Sequence, residues 1–271
     1  MSKIIFLDVD GTLINYEAKM PASAGLAVDK ARANGHKVYL CTGCSKAEIE
    51  QRDLCETDGM IGGNGAYVED GGEVVLHQGL SAEDVKHIVD WCNERHLGFY
   101  LEANSGMYCN DFFLEQAPET MSKYAMGKGA DLEKAKEASQ GFVNGMIHVQ
   151  GDAQYRDDVN KISFILSKYQ DHLDSKTEFP HLVANTWGGK DEQALYGDLG
   201  PTGITKKTAV QALLDHQNDQ AEDTISFGLC SYNVAMGNGG PESKAAADYI
   251  TDDVDEDGLY NAFVHLGLIE K

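Results

Sequence analysis

The chain has 271 residues, of which 42% are hydrophobic, and its formal net charge is −22 at pH 7. This acidic excess argues against nucleic acids and anionic membranes as partners, because both favour proteins with clusters of Lys and Arg. No apolar run approaches the length of a membrane span, and acidic residues begin at Asp8, which is not the pattern of a signal peptide. We therefore expect a cytoplasmic protein with no membrane partner.

The amino-terminal part alternates predicted strands with predicted helices. The apolar run from Ile4 to Leu7 is typical of a buried strand, and Gly35 is a suitable residue to end the first helix. This rhythm predicts a parallel sheet with helices on both faces. In chain order the pattern predicts a strand at 4–7, a helix at 22–34, a strand at 36–41, a helix at 46–55, a strand at 59–61 and a hairpin at 67–77.

The middle of the chain mixes helices and strands without continuing that order. We therefore predict an inserted α+β domain at 82–195, flanked by the two segments of a core domain at 1–81 and 196–271. From Gly200 onward the strand–helix alternation resumes. The predicted helices of the insertion are 82–94, 111–126 and 131–139, and its predicted strands are 98–102, 106–110, 146–149, 162–166, 181–187 and 193–198.

Two carboxylates, Asp8 and Asp10, directly follow the first predicted strand. Alternation along an extended chain points both side chains the same way, and open α/β sheets bind ligands at the carboxyl ends of their strands. At such a place the pair can hold a divalent cation, or one acid can act as a nucleophile while the other moves protons. The alternative interpretation is an acidic turn without chemistry.

Other polar residues occur where later strands end. Thr42 and Gly43 could meet an anion through a hydroxyl and backbone N–H groups, although Thr-Gly turns are common. Lys206 begins a predicted helix and, taken alone, is best interpreted as a solvated lysine. Taken with the acid pair, a lysine and a metal ion could together offset the charge of a bound phosphate.

Several motifs occur in one order along the chain, and together they resemble the haloacid dehalogenase superfamily, specifically Cof-type phosphatases with a type IIB cap. The resemblance implies a Rossmann-like parallel-sheet core with an inserted α+β cap that selects the substrate. The motifs are Asp8-Val9-Asp10-Gly11-Thr12-Leu13, Thr42-Gly43, Asn64-Gly65-Ala66, Gly203-Ile204-Thr205-Lys206, and Val234-Ala235-Met236-Gly237-Asn238-Gly239 with the segment that follows to Thr251.

The resemblance also implies roles for individual residues. Asp8 would attack the phosphoryl group and form an aspartyl-phosphate, Asp10 would protonate the leaving oxygen and then activate water, and Lys206 would stabilise the charge. Mg²⁺ would be held by the Asp8 carboxylate, the Asp10 main-chain carbonyl and an acid from the last motif. The substrate would be a small phosphorylated metabolite, and the protein a monomer or homodimer. The phosphate-binding residues would be Gly11, Thr12, Thr42, Gly43, Asn64 and Asn238.

For Asn64 and Asn238, which lie in glycine-rich turns, a left-handed turn conformation is an equally good explanation. Cys44 is a departure from the family, because many relatives carry Arg after Thr-Gly. Cys41 and Cys44 also have the spacing of a redox pair, so a thiol redox protein is a separate alternative. Reduced structural thiols fit a cytosolic protein better.

A larger departure follows Gly228, where the family's acidic motif Gly-Asp-x-x-Asn-Asp is absent. Only 229–233 separate the predicted strands 224–228 and 234–236. A parallel crossover needs about a dozen residues, so a link this short could at best make a tight hairpin. One hypothesis is that a segment on the order of ten residues, carrying the acids, is omitted from the sequence. The other is a true deletion, which would leave a catalytically inactive pseudo-phosphatase that binds a phosphorylated ligand.

Overall fold

The computed structural model describes residues 2–127, 129–189, 191–226 and 232–271. It divides the chain into two compact units. The first unit consists of the chain up to Gly43 together with Arg52–His77 and Ile204–Lys271, and the second consists of Cys44–Gln51 and Gln78–Gly203. Within the described residues, no helix is both long and apolar enough to span a membrane.

The secondary structure follows the predicted order closely. The strands are β1 (Ile4–Leu7), β2 (Lys37–Cys41), β3 (Gly59–Gly62), β4 (Tyr67–Asp70), β5 (Glu73–His77), β6 (Phe99–Ala103), β7 (Met107–Cys109), β8 (Ile147–His148), β9 (Val159–Ile165), β10 (Leu182–Trp187), β11 (Tyr196–Pro201), β12 (Thr224–Ser226), β13 (Tyr232–Ala235) and β14 (Tyr249–Ile250). The helices are α1 (Ala22–Ala33), α2 (Lys46–Glu50), α3 (Ala82–Glu94), α4 (Asp111–Gly127), α5 (Leu132–Asn144), α6 (Tyr169–Glu178), α7 (Lys206–Gln217), α8 (Pro241–Ala246) and α9 (Gly258–His265).

The first unit is built on one sheet with the strand order β14-β13-β12-β1-β2-β3-β4-β5. Strands β14 to β3 pair in parallel, and the β4–β5 hairpin extends the sheet in antiparallel fashion. All four residues of β1 are buried, as expected for a central strand. Helix α7 packs on the sheet face that carries Ile4 and Phe6, while α1 packs on β2 and against α9. The predicted parallel α/β core is therefore confirmed.

The expectation that so short a link allows at best a hairpin after β12 is wrong, because β12 and β13 pair in parallel. Ile225 is level with Tyr232, and Ser226 is level with Asn233. Parallel strands are normally joined by a crossover of about a dozen residues or more, which is usually an α-helix. The acidic motif expected after Gly228 falls at residues 227–231, which lie outside the described residues.

The second unit contains a sheet with the order β10-β11-β9-β6-β7-β8. One hydrophobic cluster joins α3 to the sheet and contains Trp91, Phe99 and Phe164. A second cluster joins α4 and α5 to the sheet and contains Tyr100 and Tyr196. The predicted boundary at 195/196 is too early, because β11 pairs with both β9 and β10. Helix α2 contacts β6 and therefore belongs to this unit; it ends at Glu50, short of the predicted 46–55.

Candidate active site

The site is built where parallel strands of the first unit end. β1 ends at Leu7 and is followed at once by Asp8, while α7 begins at Lys206. The Lys206 Nζ donates to Asp8 Oδ1 over 2.8 Å. Carboxyl ends of parallel strands meet at one edge of a sheet, which is why residues almost 200 positions apart in sequence come into contact here.

Helix α7 begins at this position because Thr205 caps it. The Thr205 hydroxyl accepts the Thr208 backbone N–H over 3.1 Å, and the Thr205 N–H donates to the Thr208 hydroxyl over 3.0 Å. Such a reciprocal cap satisfies backbone N–H groups that have no partner in the first turn. The cap therefore positions Lys206 as the first residue of the helix, beside Asp8.

The turn after Asp8 is held by its own backbone. The Gly11 N–H donates to the Ile14 carbonyl over 2.8 Å, and the Leu13 and Ile14 N–H groups donate to the Val9 carbonyl over 3.0 Å. Gly11 has φ +80°, and a Cβ there would lie 2.9 Å from the Tyr16 hydroxyl. Glycine is therefore required for this turn, which exposes Asp10 while Val9, Leu13 and Ile14 stay buried.

Asn238 ties this turn to another loop of the same unit. Its Nδ2 donates to the Gly11 carbonyl over 2.8 Å, and its Oδ1 accepts the Val254 N–H over 3.0 Å. Asn238 is not among the described residues with positive φ, so the left-handed turn proposed for it is wrong. Its amide positions the backbone beneath the acid pair.

Thr42 and Asn64 lie together in the adjoining loops after β2 and β3. Thr42 is buried, its N–H donates to the Ile61 carbonyl over 2.9 Å, and its carbonyl accepts the Asn64 N–H over 3.1 Å. Asn64 has φ 57°, which confirms the left-handed turn interpretation for this residue. A Cβ on Gly43 would lie 3.0 Å from the Asn64 Oδ1, so the two predicted anion-binding loops are in contact.

A cavity of about 470 Å³ opens beside the acid pair. This volume is in the range of pockets that hold small molecules. Five of the predicted site residues line this cavity: Asp8, Asp10, Gly11, Thr12 and Asn238. Thr42, Gly43 and Asn64 lie in the adjoining loops, and Lys206 contacts Asp8. The lining residues are Asp8, Asp10, Gly11, Thr12, Tyr16, Asn233–Met236, Asn238–Gly240, Ser243, Ala246 and Ala247.

Sequence reasoning missed Arg52, Tyr16 and Asn233. The Arg52 Nη1 donates to Asp10 Oδ1 over 2.9 Å, so each acid of the pair has a cation beside it. Arg52 belongs to no recognised motif. The one signal in the sequence is the departure at Cys44, which leaves the usual arginine position without a cation.

The acid pair offers oxygen donors of the kind that Mg²⁺ prefers. Mg²⁺ in phosphoryl-transfer sites takes one or two protein carboxylates and fills its remaining positions with water and phosphate oxygens. Asp8 and Asp10 fit that requirement with hard oxygen ligands. Among the residues that the structure describes, no group of three or more His, Cys, Asp or Glu side chains is placed to hold a metal ion.

Comparison with known proteins gives consistent results. Bacillus subtilis (strain 168) YkrA, provisionally named a phosphatase, is 26% identical over 288 aligned positions that cover 99% of each chain. YcsE of the same organism, named 5-amino-6-(5-phospho-D-ribitylamino)uracil phosphatase, is 25% identical over 97% of this chain and 95% of its own. The solved structure of the subclass IIB sugar phosphatase BT4131 matches with a TM-score of 0.74 and 25% identity, over 99% of this chain and 100% of its own.

The family model for haloacid dehalogenase-like hydrolases matches residues 5–263, which is nearly the whole chain. The matched range includes Asp8 and Asp10 after β1, the loop of Thr42, and the start of α7 at Lys206. The chain therefore belongs to the haloacid dehalogenase-like hydrolase family and is a phosphatase of that type.

Proposed function

We propose that this protein hydrolyses a small phosphate monoester, with Asp8 as the nucleophile and Asp10 as the acid and base. The observation that carries the proposal is the Lys206–Asp8 contact of 2.8 Å at the wall of a cavity that Asp10 also lines. A cation in that position keeps the carboxylate oriented and offsets the charge that gathers during phosphoryl transfer.

The reaction takes place in two steps. In the first, an Asp8 carboxylate oxygen bonds to phosphorus while the bond to the leaving oxygen breaks, and Asp10 gives that oxygen its proton. In the second, Asp10 takes a proton from water as the water oxygen attacks the phosphorus of the aspartyl-phosphate. Inorganic phosphate leaves and Asp8 is restored.

The surrounding residues orient these two acids. Asn238 holds the Gly11 carbonyl, and thereby the turn on which Asp10 lies. Thr42 and Gly43 adjoin the acid pair as candidate donors to phosphoryl oxygens, as the resemblance implies. Positioning of this kind is the main contribution a protein makes to phosphoryl transfer.

Magnesium is the cofactor that the donor set suits. Asp8 and Asp10 would hold it, and when bound it would neutralise phosphoryl charge. The further acid expected after Gly228 stays a prediction. The YkrA alignment runs over 288 positions, more than the 271 residues of this chain, so that relative has stretches that this chain lacks.

A sugar phosphate or a related polyol phosphate is the substrate class we propose. It is supported by the names of two relatives, one a sugar phosphatase and the other acting on a phosphoribityl compound. Substrate selection by the second unit, a cytoplasmic location and a monomeric or dimeric state stay predictions.

The test is hydrolysis of p-nitrophenyl phosphate with and without Mg²⁺. We expect release of p-nitrophenol that EDTA abolishes and that Asp8→Asn lowers by about 10³-fold or more. Asp223→Asn is the matched control, because Asp223 forms a similar Lys–Asp pair of 2.7 Å with Lys3 but is not part of the cavity wall. Undiminished turnover in Asp8→Asn would contradict the proposal.

The mass of the intact protein separates the two hypotheses about the acidic motif. A mass near 29.5 kDa means that the acids are deleted, and magnesium affinity should then be weak. A mass larger by on the order of a kilodalton, about the weight of the missing crossover, means that a segment is omitted. Peptide sequencing of that segment should then reveal paired acids.

A further inference from the structure

We propose that Arg52 is the phosphoryl-binding arginine of this protein, contacting an oxygen of the transferring phosphate as well as Asp10. This inference rests on the proposed phosphatase function. It assigns a substrate-binding role to a residue outside every motif of the chain.

The guanidinium of Arg52 lies beside the reacting groups. Its Nη1 is 2.9 Å from Asp10 Oδ1, and Asp10 is two residues from the proposed nucleophile Asp8. The Arg52 side chain is 21% exposed, whereas the Asp10 side chain is 54% exposed. The arginine is therefore largely enclosed, at an acid that lines the open cavity.

Guanidinium chemistry suits a second acceptor at this position. An arginine presents five N–H donors in a planar fork that matches the oxygens of carboxylates and phosphates, and one such group can serve more than one acceptor. Asp10 must come close to the leaving oxygen of the ester in order to protonate it. A guanidinium held by Asp10 is then close to the phosphoryl oxygens also.

The charges at the site favour a second protein cation beside Lys206, even when Mg²⁺ is bound. Asp8 and Asp10 contribute two negative charges, and a phosphate monoester brings up to two more into a protein whose net charge is already −22. Lys206 is committed to Asp8. Cys44, which follows the Thr42 loop, is buried and brings no positive charge. Arg52 is the cation that the structure places at Asp10.

The competing explanation is an ordinary ion pair of the protein surface. Such pairs contribute little to folding and nothing to ligand binding. Arg32 provides the comparison within the same unit, because its guanidinium donates to Asp58 and to the Glu56 carbonyl, and neither partner is part of the cavity wall. Removing Arg32 and removing Arg52 therefore change similar interactions in different places.

The experiment measures the binding of inorganic phosphate to the full-length protein in the presence of Mg²⁺, by calorimetry and as competitive inhibition of p-nitrophenyl phosphate hydrolysis. We expect Arg52→Ala to weaken phosphate binding by about 10- to 100-fold, as for loss of a hydrogen bond between charged groups. Arg52→Lys should recover part of the loss, and added guanidinium ions should partly rescue Arg52→Ala. Arg32→Ala should bind phosphate like the wild type.

The two readouts keep this inference separate from the proposed function. Hydrolysis by the wild type with unchanged phosphate affinity in Arg52→Ala would overturn the role of Arg52 and leave the phosphatase intact. Arg52-dependent phosphate binding without any hydrolysis would overturn the phosphatase and leave the role of Arg52 intact. A wild type that neither binds phosphate nor hydrolyses the ester would overturn both. Thermal unfolding of each variant confirms that it is folded.

Discussion

Gly65 shows how one residue sets the geometry of the site. It has φ +108°, and a Cβ there would lie 2.4 Å from the Thr205 carbonyl oxygen and 3.1 Å from the Lys206 nitrogen. The turn after β3 can approach the start of α7 this closely because no side chain intervenes. The position of Lys206 therefore depends on a glycine in a different part of the chain.

We predict that Gly65→Ala lowers the free energy of unfolding by about 2 kcal/mol or more, from backbone strain and collision together. Activity toward p-nitrophenyl phosphate should fall as well, because Lys206 is displaced. Gly71→Ala is the matched control. Gly71 also has a positive φ, of +55°, but a Cβ added there would have no atom within 4 Å. It should cost about 1 kcal/mol and leave activity unchanged. Equal effects of the two substitutions would refute the collision argument.

Helix α7 is the element that connects folding to chemistry in the first unit. Its apolar side packs on the sheet through Ala209, Leu213 and Leu214, and its first residue contacts Asp8. Packing fixes the axis of the helix, whereas the Thr205 cap fixes where the helix begins. Both are needed, since a shift of one residue at the amino end would move Lys206 away from Asp8.

Thr205→Ala should therefore affect stability and turnover together. We expect a loss of about 1 kcal/mol in unfolding free energy from the missing cap. We also expect a drop in kcat on the order of tenfold from the looser position of Lys206. Urea unfolding and steady-state kinetics measure the two effects.

Ser81→Ala tests whether the loss of any helix cap lowers kcat as well as stability. Ser81 caps α3 of the second unit by accepting the Asp84 N–H over 3.0 Å. Its substitution should reduce stability by a similar amount and leave kcat as it was. A tenfold drop in kcat for this variant would mean that destabilisation alone explains the result for Thr205.

At the scale of the whole molecule, stability depends on pH through a buried acid in the second unit. Glu102 of β6 is 1% exposed, and its Oε1 accepts from Lys161 over 3.1 Å and from Ser163 over 2.8 Å. Burial, opposed by the nearby Lys161, raises the pKa of Glu102 from 4.5 to about 7. Between those values the folded state binds a proton that the unfolded state has lost.

Stability should therefore fall as the pH rises from about 4.5 to about 7 and stop falling above that window. Urea unfolding at pH 5 and pH 7.5 tests this, followed by fluorescence of Trp91 and Trp187, the two tryptophans, both in the second unit. Glu102→Gln should show a smaller difference between the two pH values. The same difference in both proteins would assign the pH dependence to groups other than Glu102.

The fold was largely predictable because its signals are local. Burial of Ile4–Leu7, the cap at Ser81 and the glycine turn of the β4–β5 hairpin each act within a few residues of the chain. The direction of β13 was not predictable, because it depends on pairing with β12 and not on the length of the link between them. The boundary at 195/196 failed for the same reason, since β11 belongs with the strands it pairs with.

The sequence by itself determined the α/β class, the family and the adjacent acids Asp8 and Asp10, because strand periodicity, capping residues and short motifs are properties of neighbouring residues. Only the tertiary structure decided that Arg52 pairs with Asp10, and that Asn238 holds Gly11 and Val254. Those contacts join residues 16 to 227 positions apart. Their partners are chosen by how the sheet edge and its loops pack, and no local pattern in the chain encodes that choice.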